Sequence, residues 1–549
     1  ISYEKPGKYE SSRLEKIHNV IFENSISGSI AVANEIAALI KAKQKTNSFC
    51  VLGLATGSSP IKVYEELIRL HKSENLSFKN VITFNLDEYF PMKHDDIQSY
   101  HHFMNEHLFK HIDILPENIN IPNGDCTIEE SLIECAQYEE KIKRLGGLDF
   151  QLLGIGRTAH IGFNEPGSHQ NSSTRMVTLD HLTRSDAASS FLGLENVPKK
   201  AVTMGIATVL EAKRIVLLAW GHNKAKVIQE TIEGWITTKK PATYLQHHPN
   251  VTFILDQEAA SLLTRVNTPW IVDSCEWNSE LISKAIVWLC EQTQKSILHL
   301  TDKDYFEHGM ESLLAIEGTA YDLNIKMFNK LQHAITGWPG GKPNSDFQKR
   351  PERSTPEKKR VIIFSPHPDD DVISMGGTFD RLVEQGHEVH IVYQTSGNIA
   401  VSNDEALKFA EIGRVFNPEN ETYSKIIEFV NQKNNAHADI IELRNLKGQI
   451  RQKESLGATR FLGLPDHQVH FLNLPFYETG TIKKSPLSQT DIDLMLAKIE
   501  EIQPHQIFAA GDLADPHGTH KVCLDSLFMA IEQIKHQPFM NDCWVWLYR

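Results

Sequence analysis

The segment "FCVLGLATGSSPIKVYEELIRL", residues 49–70, joins an apolar run, a Gly/Ser/Thr turn and a stretch whose apolar residues have helical spacing. An apolar run that does not alternate with polar residues is typical of a strand buried on both faces of a parallel sheet. Similar runs recur at 81–86, 150–156, 214–221, 251–256, 361–364, 387–395 and 505–511. We therefore predict an α/β protein with two domains, each a mainly parallel sheet with helices on both faces.

The boundary between the domains is predicted at residues 336–360, "TGWPGGKPNSDFQKRPERSTPEKKR", where Pro, Gly, Ser and charged residues dominate. Residues 278–335, which precede it, show the apolar spacing of helices. The expected organisation is a first domain at 1–295, a helical connector and linker at 296–355, and a second domain at 356–549.

Composition limits the classes of partner. Hydrophobic residues make up 41% of the 549 residues, and the net charge of −14 argues against nucleic acid or an anionic membrane as the main partner. No apolar run approaches the roughly 18–20 residues of a membrane span. Seven cysteines without a CxxC pair indicate reduced thiols, so we expect a cytoplasmic protein. The start at Ile1 and the ending "WVWLYR" favour a piece of a longer protein.

Polar residues follow four strands of the first domain, where ligands of parallel sheets bind. The turn at 56–59 opens a helix and offers N–H groups and hydroxyls to an anion, although such turns also serve only as caps. Asp87 and Glu88 form an acid pair that is either catalytic or a cap. His160 and Glu165 share one loop, and Lys224 opens a later helix. A structural histidine and a solvated lysine are the alternatives for these two positions.

Together these segments resemble the glucosamine-6-phosphate deaminase family over about residues 20–290, in "LGLATGSSP", "VITFNLDEYF", "GIGRTAHIGFNEPGS", "VPKKAVTMGIATVL" and "LAWGHNKA". The "FNEP" segment distinguishes the match from the related phosphogluconolactonases. The resemblance implies a Rossmann-like sugar-phosphate isomerase fold. It also implies that Asp87 moves a proton between C2 and C1, and that His160, oriented by Glu165, opens the sugar ring. The implied ligands of the 6-phosphate are Thr56, Gly57, Ser58, Ser59 and Lys224.

Two positions depart from the family pattern. Thr158 stands where the family has an aspartate two residues before the histidine, and Ser189 stands where it has a phosphate-binding arginine. Arg157 or Arg184 could supply the missing guanidinium. The first domain is therefore either a deaminase or a sugar-phosphate sensor without turnover. Effector positions of the family are matched by Arg175 and Ser168, but Val177 replaces a lysine there.

The second domain contains "FSPHPDDD" at 364–371, a strand that ends in a histidine and three acids. One of Asp369 and Asp370 can ligate a metal while its neighbour faces a water molecule. A further strand end, "GDLADPHGTHKV" at 511–522, supplies His517 and His520. A catalytic zinc needs three protein ligands and one open position. The pattern favours a metal site over the alternative, a capped turn with surface histidines.

This pattern resembles the PIG-L/LmbE-like zinc-dependent de-N-acetylases over about residues 358–549, again with a Rossmann-like fold. The resemblance implies zinc ligation by His367, Asp370 and His520, and it makes Asp369 the general base. His517 would stabilise the oxyanion or protonate the leaving amine. Arg451, in an Arg-x-x-Glu segment with Glu454, is expected to contact substrate, and Asp371 replaces a common glutamate.

The two resemblances predict an enzyme of amino-sugar phosphate metabolism. The second domain would remove an N-acetyl group from a sugar with zinc as cofactor, and the first would convert glucosamine 6-phosphate to fructose 6-phosphate and ammonia. The expected partners are small-molecule substrates, an amino-sugar phosphate and an N-acetylated sugar, and we expect a homo-oligomer. Alternatively, only the second domain is an enzyme, acting on an unrelated N-acylated sugar.

Overall fold

The computed structural model describes residues 3–188, 190–191, 193–335, 358–432, 438–481, 484–512, 518–541 and 543–549. It contains two compact units. The first comprises Ile1–Leu281 and His308–Ser312, and the second comprises Ile282–Glu307 and Leu313–Arg549. The predicted linker lies almost wholly outside the described residues, so the predicted boundaries stay a prediction. No helix in the described part of the chain is long and apolar enough to cross a membrane.

Before residue 270, the described part of the chain forms ten strands and eight α-helices. The strands are β1 His18–Phe22, β2 Cys50–Leu54, β3 Val81–Asn85, β4 Asp87–Phe90, β5 Ile119–Asn120, β6 Phe150–Leu153, β7 Arg175–Thr178, β8 Lys200–Thr203, β9 Ile215–Ala219 and β10 Val251–Asp256. The helices are α1 Ser25–Lys45, α2 Ile61–Glu74, α3 Tyr100–His107, α4 Ile128–Arg144, α5 His181–Ala187, α6 Ile206–Leu210, α7 Ala225–Ile232 and α8 Thr264–Asn267.

A parallel sheet with the order β1-β10-β9-β6-β2-β3-β5 forms the centre of the first unit. Its central strands are buried along their whole length, as in Cys50–Leu54 and Ile215–Ala219, which agrees with their continuous apolar sequences. One apolar cluster on this sheet includes Phe84, Leu217 and Phe253, and a second includes Ile36, Leu67 and Phe150. The predicted parallel sheet is confirmed.

A small antiparallel sheet of order β4-β8-β7 was not predicted from the sequence. Its strands have four residues each, and β7 is only partly buried, so they lack a long apolar run. Asp87 pairs with Thr203 in this sheet. The sheet therefore carries one of the predicted catalytic residues at its start.

Four helices follow, α9 Ser279–Thr293, α10 Asp302–Glu307, α11 Glu311–Glu317 and α12 Ala320–Ile335. The region 278–335 is thus helical, as its periodicity predicted, and Ile286, Leu289 and Leu313 are fully buried.

The remaining strands are β11 Arg360–Ser365, β12 Glu388–Tyr393, β13 Val469–Phe471, β14 Gln506–Ala510 and β15 Trp544–Tyr548. The remaining helices are α13 Asp370–Glu384, α14 Asn403–Phe416, α15 Glu421–Gln432, α16 Ile441–Phe461, α17 Gln489–Ile502 and α18 Thr519–Ile534. The strands form a second parallel sheet of order β13-β12-β11-β14-β15. Separate apolar clusters, one with Phe364 and Ile507 and the other with Phe379 and Tyr393, give the second unit its own core.

Candidate active sites

The first site is a cavity of about 220 Å³ beyond the carboxyl ends of β2, β3 and β6. Seven residues that the sequence assigned to catalysis or phosphate binding line it, namely Thr56, Gly57, Ser58, Ser59, Asp87, His160 and Lys224. They come from four separate stretches of the chain. Their convergence follows from the parallel sheet, because successive strands deliver their carboxyl ends to the same edge.

The turn at 56–59 lies between β2 and α2, so its backbone N–H groups are close to a helix N-terminus. Gly57 has φ +90°, a left-handed conformation that favours glycine, and a Cβ there would meet no neighbour within 4 Å. Trp220 Nε1 donates a hydrogen bond to the Ser59 carbonyl at 3.1 Å, which fixes one end of the turn. The turn therefore presents hydroxyls and N–H groups to the cavity.

Lys224 follows β9 and directs its ammonium into the same cavity, where Nζ donates to the Ile155 carbonyl at 2.8 Å. Burial lowers the pKa of this lysine, because an ammonium group loses hydration inside the protein. A dianionic phosphate would restore a favourable environment for that charge.

Asp87 and Glu88 have different environments despite their adjacency. Asp87 lines the cavity and is 5% exposed, and burial followed by the charge of Glu88 raises its pKa well above the ordinary value. Glu88 is fully buried and accepts hydrogen bonds from the backbone N–H groups of Tyr100, at 2.8 Å, and His101, at 3.2 Å. Asp87 therefore faces the cavity, whereas Glu88 anchors the start of α3.

Close packing places Asp87 against the loop that carries His160. Gly162 has φ +55°, and a Cβ on it would lie 3.2 Å from Asp87 Oδ2 and 2.9 Å from Thr203 Oγ1. A side chain at position 162 would therefore displace the carboxylate, which explains a glycine in "HIGFNE".

The ring of His160 has three oxygen atoms around Nδ1. Thr158 Oγ1 lies at 2.8 Å, Glu165 Oε2 at 3.2 Å and Thr183 Oγ1 at 3.3 Å. An ionised carboxylate only accepts, so this arrangement places a proton on Nδ1, which donates towards Glu165. The ring packs over Gly156, where a Cβ would lie 2.1 Å from Nε2.

Glu165 lies behind His160 rather than among the cavity-lining residues. Burial pushes the pKa of Glu165 upward, but the hydrogen bond and charge of His160, with hydrogen bonds from Thr183 and the Asp180 backbone, hold it below the ordinary value. Thr158 Oγ1 also lies 3.4 Å from Glu165 Oε2, so one hydroxyl contacts both partners. A threonine therefore occupies the position of the family aspartate and retains a contact to the histidine.

Arg157 and Arg184, the two candidates to replace the phosphate-binding arginine of the family, differ from each other in their hydrogen-bond partners. Arg184 Nη2 donates to the carbonyls of Leu194, at 2.9 Å, and Val197, at 3.1 Å. Arg157 forms a two-bonded ion pair with Asp186. Ser189 lies outside the described residues. At the effector-like positions, Arg175 donates to Asn164 Oδ1 at 2.9 Å and to Ser168 Oγ at 3.0 Å.

The second site lies where β11 ends and α13 begins. His367 Nδ1 is 3.2 Å from Asp370 Oδ2, His520 Nε2 is 3.5 Å from the same oxygen, and the two ring nitrogens are 3.3 Å apart. Ligand atoms about 2.0–2.2 Å from a tetrahedral zinc ion lie about 3.3–3.6 Å from one another. The three donors therefore have the chemistry and spacing of a metal site, and they are the cluster of potential ligands found in the described part of the chain.

Asp370 is held in an orientation suited to ligation. The His367 backbone N–H donates to Asp370 Oδ2 at 2.8 Å. Burial pushes the pKa of Asp370 upward, but His367 and His520 together hold it below the ordinary value, so the carboxylate form is favoured.

Asp369 points to a different partner, as the sequence predicted for adjacent residues. Its Oδ2 lies 2.6 Å from Arg451 Nη2, and Arg451 Nη1 also lies 3.3 Å from Glu454 Oε2. Arg451 was expected to contact substrate, and the structure places it against the predicted general base. His517, the other predicted catalytic residue of this domain, lies outside the described residues.

Asp371 supports the site from inside the domain, a role that the sequence did not indicate. It is fully buried, Tyr393 OH donates to Oδ2 at 3.0 Å, and burial raises its pKa to about 6. Its backbone N–H donates to Ser365 Oγ at 3.1 Å, and that hydroxyl donates to the His367 carbonyl at 2.6 Å. Asp371 thus fixes the backbone that carries the metal-site histidine.

Comparison with known proteins identifies a family match in each half of the chain. A family profile described as glucosamine-6-phosphate isomerases/6-phosphogluconolactonase matches residues 27–254, and one described as GlcNAc-PI de-N-acetylase (PIG-L) matches residues 362–531. A glucosamine-6-phosphate deaminase-like protein of Bacteroides thetaiotaomicron is 50% identical over 100% of this chain and 85% of its own length. The chain belongs to the glucosamine-6-phosphate deaminase-like family.

The first domain also matches shorter members of the deaminase family. Glucosamine-6-phosphate deaminase 1 of Bacillus subtilis is 50% identical over 42% of this chain and 94% of its own length. Among solved structures, a monomeric glucosamine-6-phosphate deaminase is 46% identical over 45% of this chain and 100% of its own, with a TM-score of 0.43. The two family profiles show that this protein joins a deaminase-like domain to a PIG-L domain.

Proposed function

We propose that the first domain catalyses the isomerising deamination of glucosamine 6-phosphate to fructose 6-phosphate and ammonia. The observation that carries this proposal is the convergence of Asp87, His160, Lys224 and the turn at 56–59 on one cavity. A cation and an N–H-rich turn suit a phosphate, and the histidine and carboxylate suit proton transfers on the sugar.

His160 is placed to open the sugar ring. With the proton on Nδ1 directed at Glu165 and Thr158, Nε2 is free to accept a proton from the anomeric hydroxyl. Glu165 favours the imidazolium that forms, because its pKa stays below the ordinary value.

Asp87 is placed to move the proton between C2 and C1. Its raised pKa makes the carboxylate a stronger base than an exposed aspartate, and it brings protonation closer to neutral pH. Hydrolysis of the resulting enamine or imine then releases ammonia, with water as the co-reactant. Each proton transfer uses a group that lines the cavity or contacts one that does.

The second domain is proposed to be a zinc-dependent de-N-acetylase, with His367, Asp370 and His520 holding the ion. A bound zinc ion would polarise the amide carbonyl and lower the pKa of water. Asp369 lies beside this cluster in sequence and takes the proton of the attacking water, while Arg451 fixes its carboxylate. Protonation of the leaving amine by His517 stays a prediction.

The two reactions form a sequence, because removal of an N-acetyl group yields the amino sugar that deamination consumes. We therefore propose N-acetylglucosamine 6-phosphate as the substrate of the second domain. The zinc-loaded protein should release acetate from it, measured by an enzymatic acetate assay. Absence of acetate would exclude the coupled sequence without excluding deamination.

The deaminase proposal has its own test. Incubation with glucosamine 6-phosphate should release ammonia and fructose 6-phosphate in equal amounts, and Asp87→Asn should abolish both. Ammonia release by Asp87→Asn at the wild-type rate would refute the role of Asp87.

A sugar-phosphate sensor is the second candidate for the first domain. It is favoured by Thr158 at the family acid position and by the engagement of Arg157 with Asp186 rather than with the cavity. Calorimetric binding of glucosamine 6-phosphate without any ammonia would support the sensor, and steady turnover would exclude it.

A further inference from the structure

A two-bonded ion pair begins one residue after the lining of the first cavity. Gly156 lines the cavity, and Arg157 follows it directly. Arg157 Nε donates to Asp186 Oδ2 at 3.0 Å, and Nη2 donates to Oδ1, so the guanidinium meets both carboxylate oxygens. Both side chains are accessible, at 42% and 45% exposure, so a solute can reach this pair.

A phosphate bound in the cavity would be balanced better by two positive charges than by one. Lys224 is the cation among its lining residues in the described part of the chain, and a phosphate monoester carries about −1.5 to −2 at neutral pH. Arg184 is held by two backbone carbonyls, and Arg175 is held by Asn164 and Ser168. Arg157, in contrast, binds a carboxylate, and a carboxylate offers a guanidinium two oxygens in the same way as a phosphate does.

The charges of this pair reach the cavity. Burial is the main cause of the lowered pKa of Lys224. The charge of Asp186 raises this pKa, and the charge of Arg157 lowers it. Both members of the pair therefore act electrostatically on the ammonium group inside the cavity.

We propose that Arg157 is a ligand of the sugar 6-phosphate and that Asp186 occupies its guanidinium until the phosphate replaces the carboxylate. The proposal rests on the sugar-phosphate site proposed above. Arg157 would supply the positive charge that the family has at the position of Ser189. A guanidinium that binds two oxygens of a carboxylate binds two oxygens of a phosphate with the same fork geometry. The exchange is a ligand replacement in which no covalent bond changes.

Binding measurements separate the two roles. Glucosamine 6-phosphate is titrated calorimetrically into the full chain carrying Asp87→Asn, so that the ligand is not consumed. Adding Arg157→Met should raise the Kd about 10- to 100-fold, because a charge-assisted pair of hydrogen bonds is lost. Adding Asp186→Asn should lower the Kd by about 3-fold or more, because the competing carboxylate is gone. Arg157→Lys should fall between wild type and Arg157→Met.

The second domain offers a matched control. Arg460 and Asp466 form a two-bonded pair that is more exposed, at 57% and 55%, and Arg460→Met or Asp466→Asn should leave the Kd unchanged. Weaker binding in Asp186→Asn would show that the pair is structural and would overturn the proposal. An unchanged Kd in Arg157→Met would overturn it as well. So would the absence of glucosamine 6-phosphate binding, whether to the Asp87→Asn protein or to wild type. Binding without ammonia release by wild type would refute only the deaminase activity.

Discussion

Arg451 Nη2 lies 2.6 Å from Asp369 Oδ2, and this contact separates the roles of the two neighbouring aspartates. Asp370 faces the histidines of the metal cluster, whereas Asp369 faces an arginine. A carboxylate that is bonded to a guanidinium keeps its orientation. Two adjacent acids can therefore do different work at one strand end.

Replacing each aspartate should have a different effect on the metal. Asp369→Asn should retain zinc but reduce de-N-acetylation by about 10²–10⁴, the usual effect of removing a general base. Asp370→Asn should lose most of the metal, because it removes a ligand. Metal content by mass spectrometry of the two purified variants checks the assignment, and a reversed pattern would mean that the roles are exchanged.

Loss of Arg451 should lower the rate without removing the metal. In Arg451→Met the Asp369 carboxylate loses its partner, and we expect de-N-acetylation to fall by about 10-fold, corresponding to ~1.4 kcal/mol of the barrier. Lysine at this position should recover part of the rate, since it retains the charge but not the fork. A rise in KM with unchanged kcat would instead indicate the substrate contact that the sequence suggested.

His520→Ala should empty the metal site and leave the first domain folded. The variant retains two of the three donors, His367 and Asp370. The first unit has its own apolar clusters, so its folding does not depend on this histidine. Metal analysis should show the loss, and binding of glucosamine 6-phosphate should remain at the wild-type Kd. Retention of a full equivalent of zinc would contradict the predicted ligand set.

Asp87→Asn should stabilise the protein, and more so at higher pH. The pKa of Asp87 is raised on folding, so its contribution to stability is greatest below its unfolded pKa and is lost as the pH rises through the folded pKa. Asparagine does not ionise and avoids this loss. Calorimetric unfolding should show a Tm gain at pH 8 that shrinks towards pH 5. Asp125→Asn, at an exposed position, should show no such trend.

Thr158 should act as a positioning residue for His160. Thr158→Val removes the hydroxyl that lies 2.8 Å from His160 Nδ1, so the ring loses one of its three oxygen neighbours. We expect kcat for ammonia release to fall about 10-fold with little change in KM, since one hydrogen bond is worth ~1 kcal/mol or slightly more. Thr158→Ser should keep the wild-type rate. Equal rates for valine and threonine would show that Glu165 and Thr183 are sufficient to orient the ring.

Much of this protein is determined by local sequence. Each predicted strand, from the run at 49–55 to that at 505–511, begins and ends within three residues of its expected place, because a continuous apolar run is typically buried inside a covered sheet. The convergence of Thr56, Asp87, His160 and Lys224 also follows from the sequence, because parallel strands end at one edge. The spacing of His367, Asp370 and His520 follows for the same reason.

The tertiary structure decided which partner each polar side chain has. Without the family resemblance, the local sequence does not distinguish Asp87 from Glu88. Folding directs one to the cavity and the other to the N–H groups of Tyr100 and His101. The pairs Arg451–Asp369 and Arg157–Asp186 join residues 82 and 29 positions apart. Such pairs depend on side-chain direction and on the packing of whole elements, which local patterns do not encode.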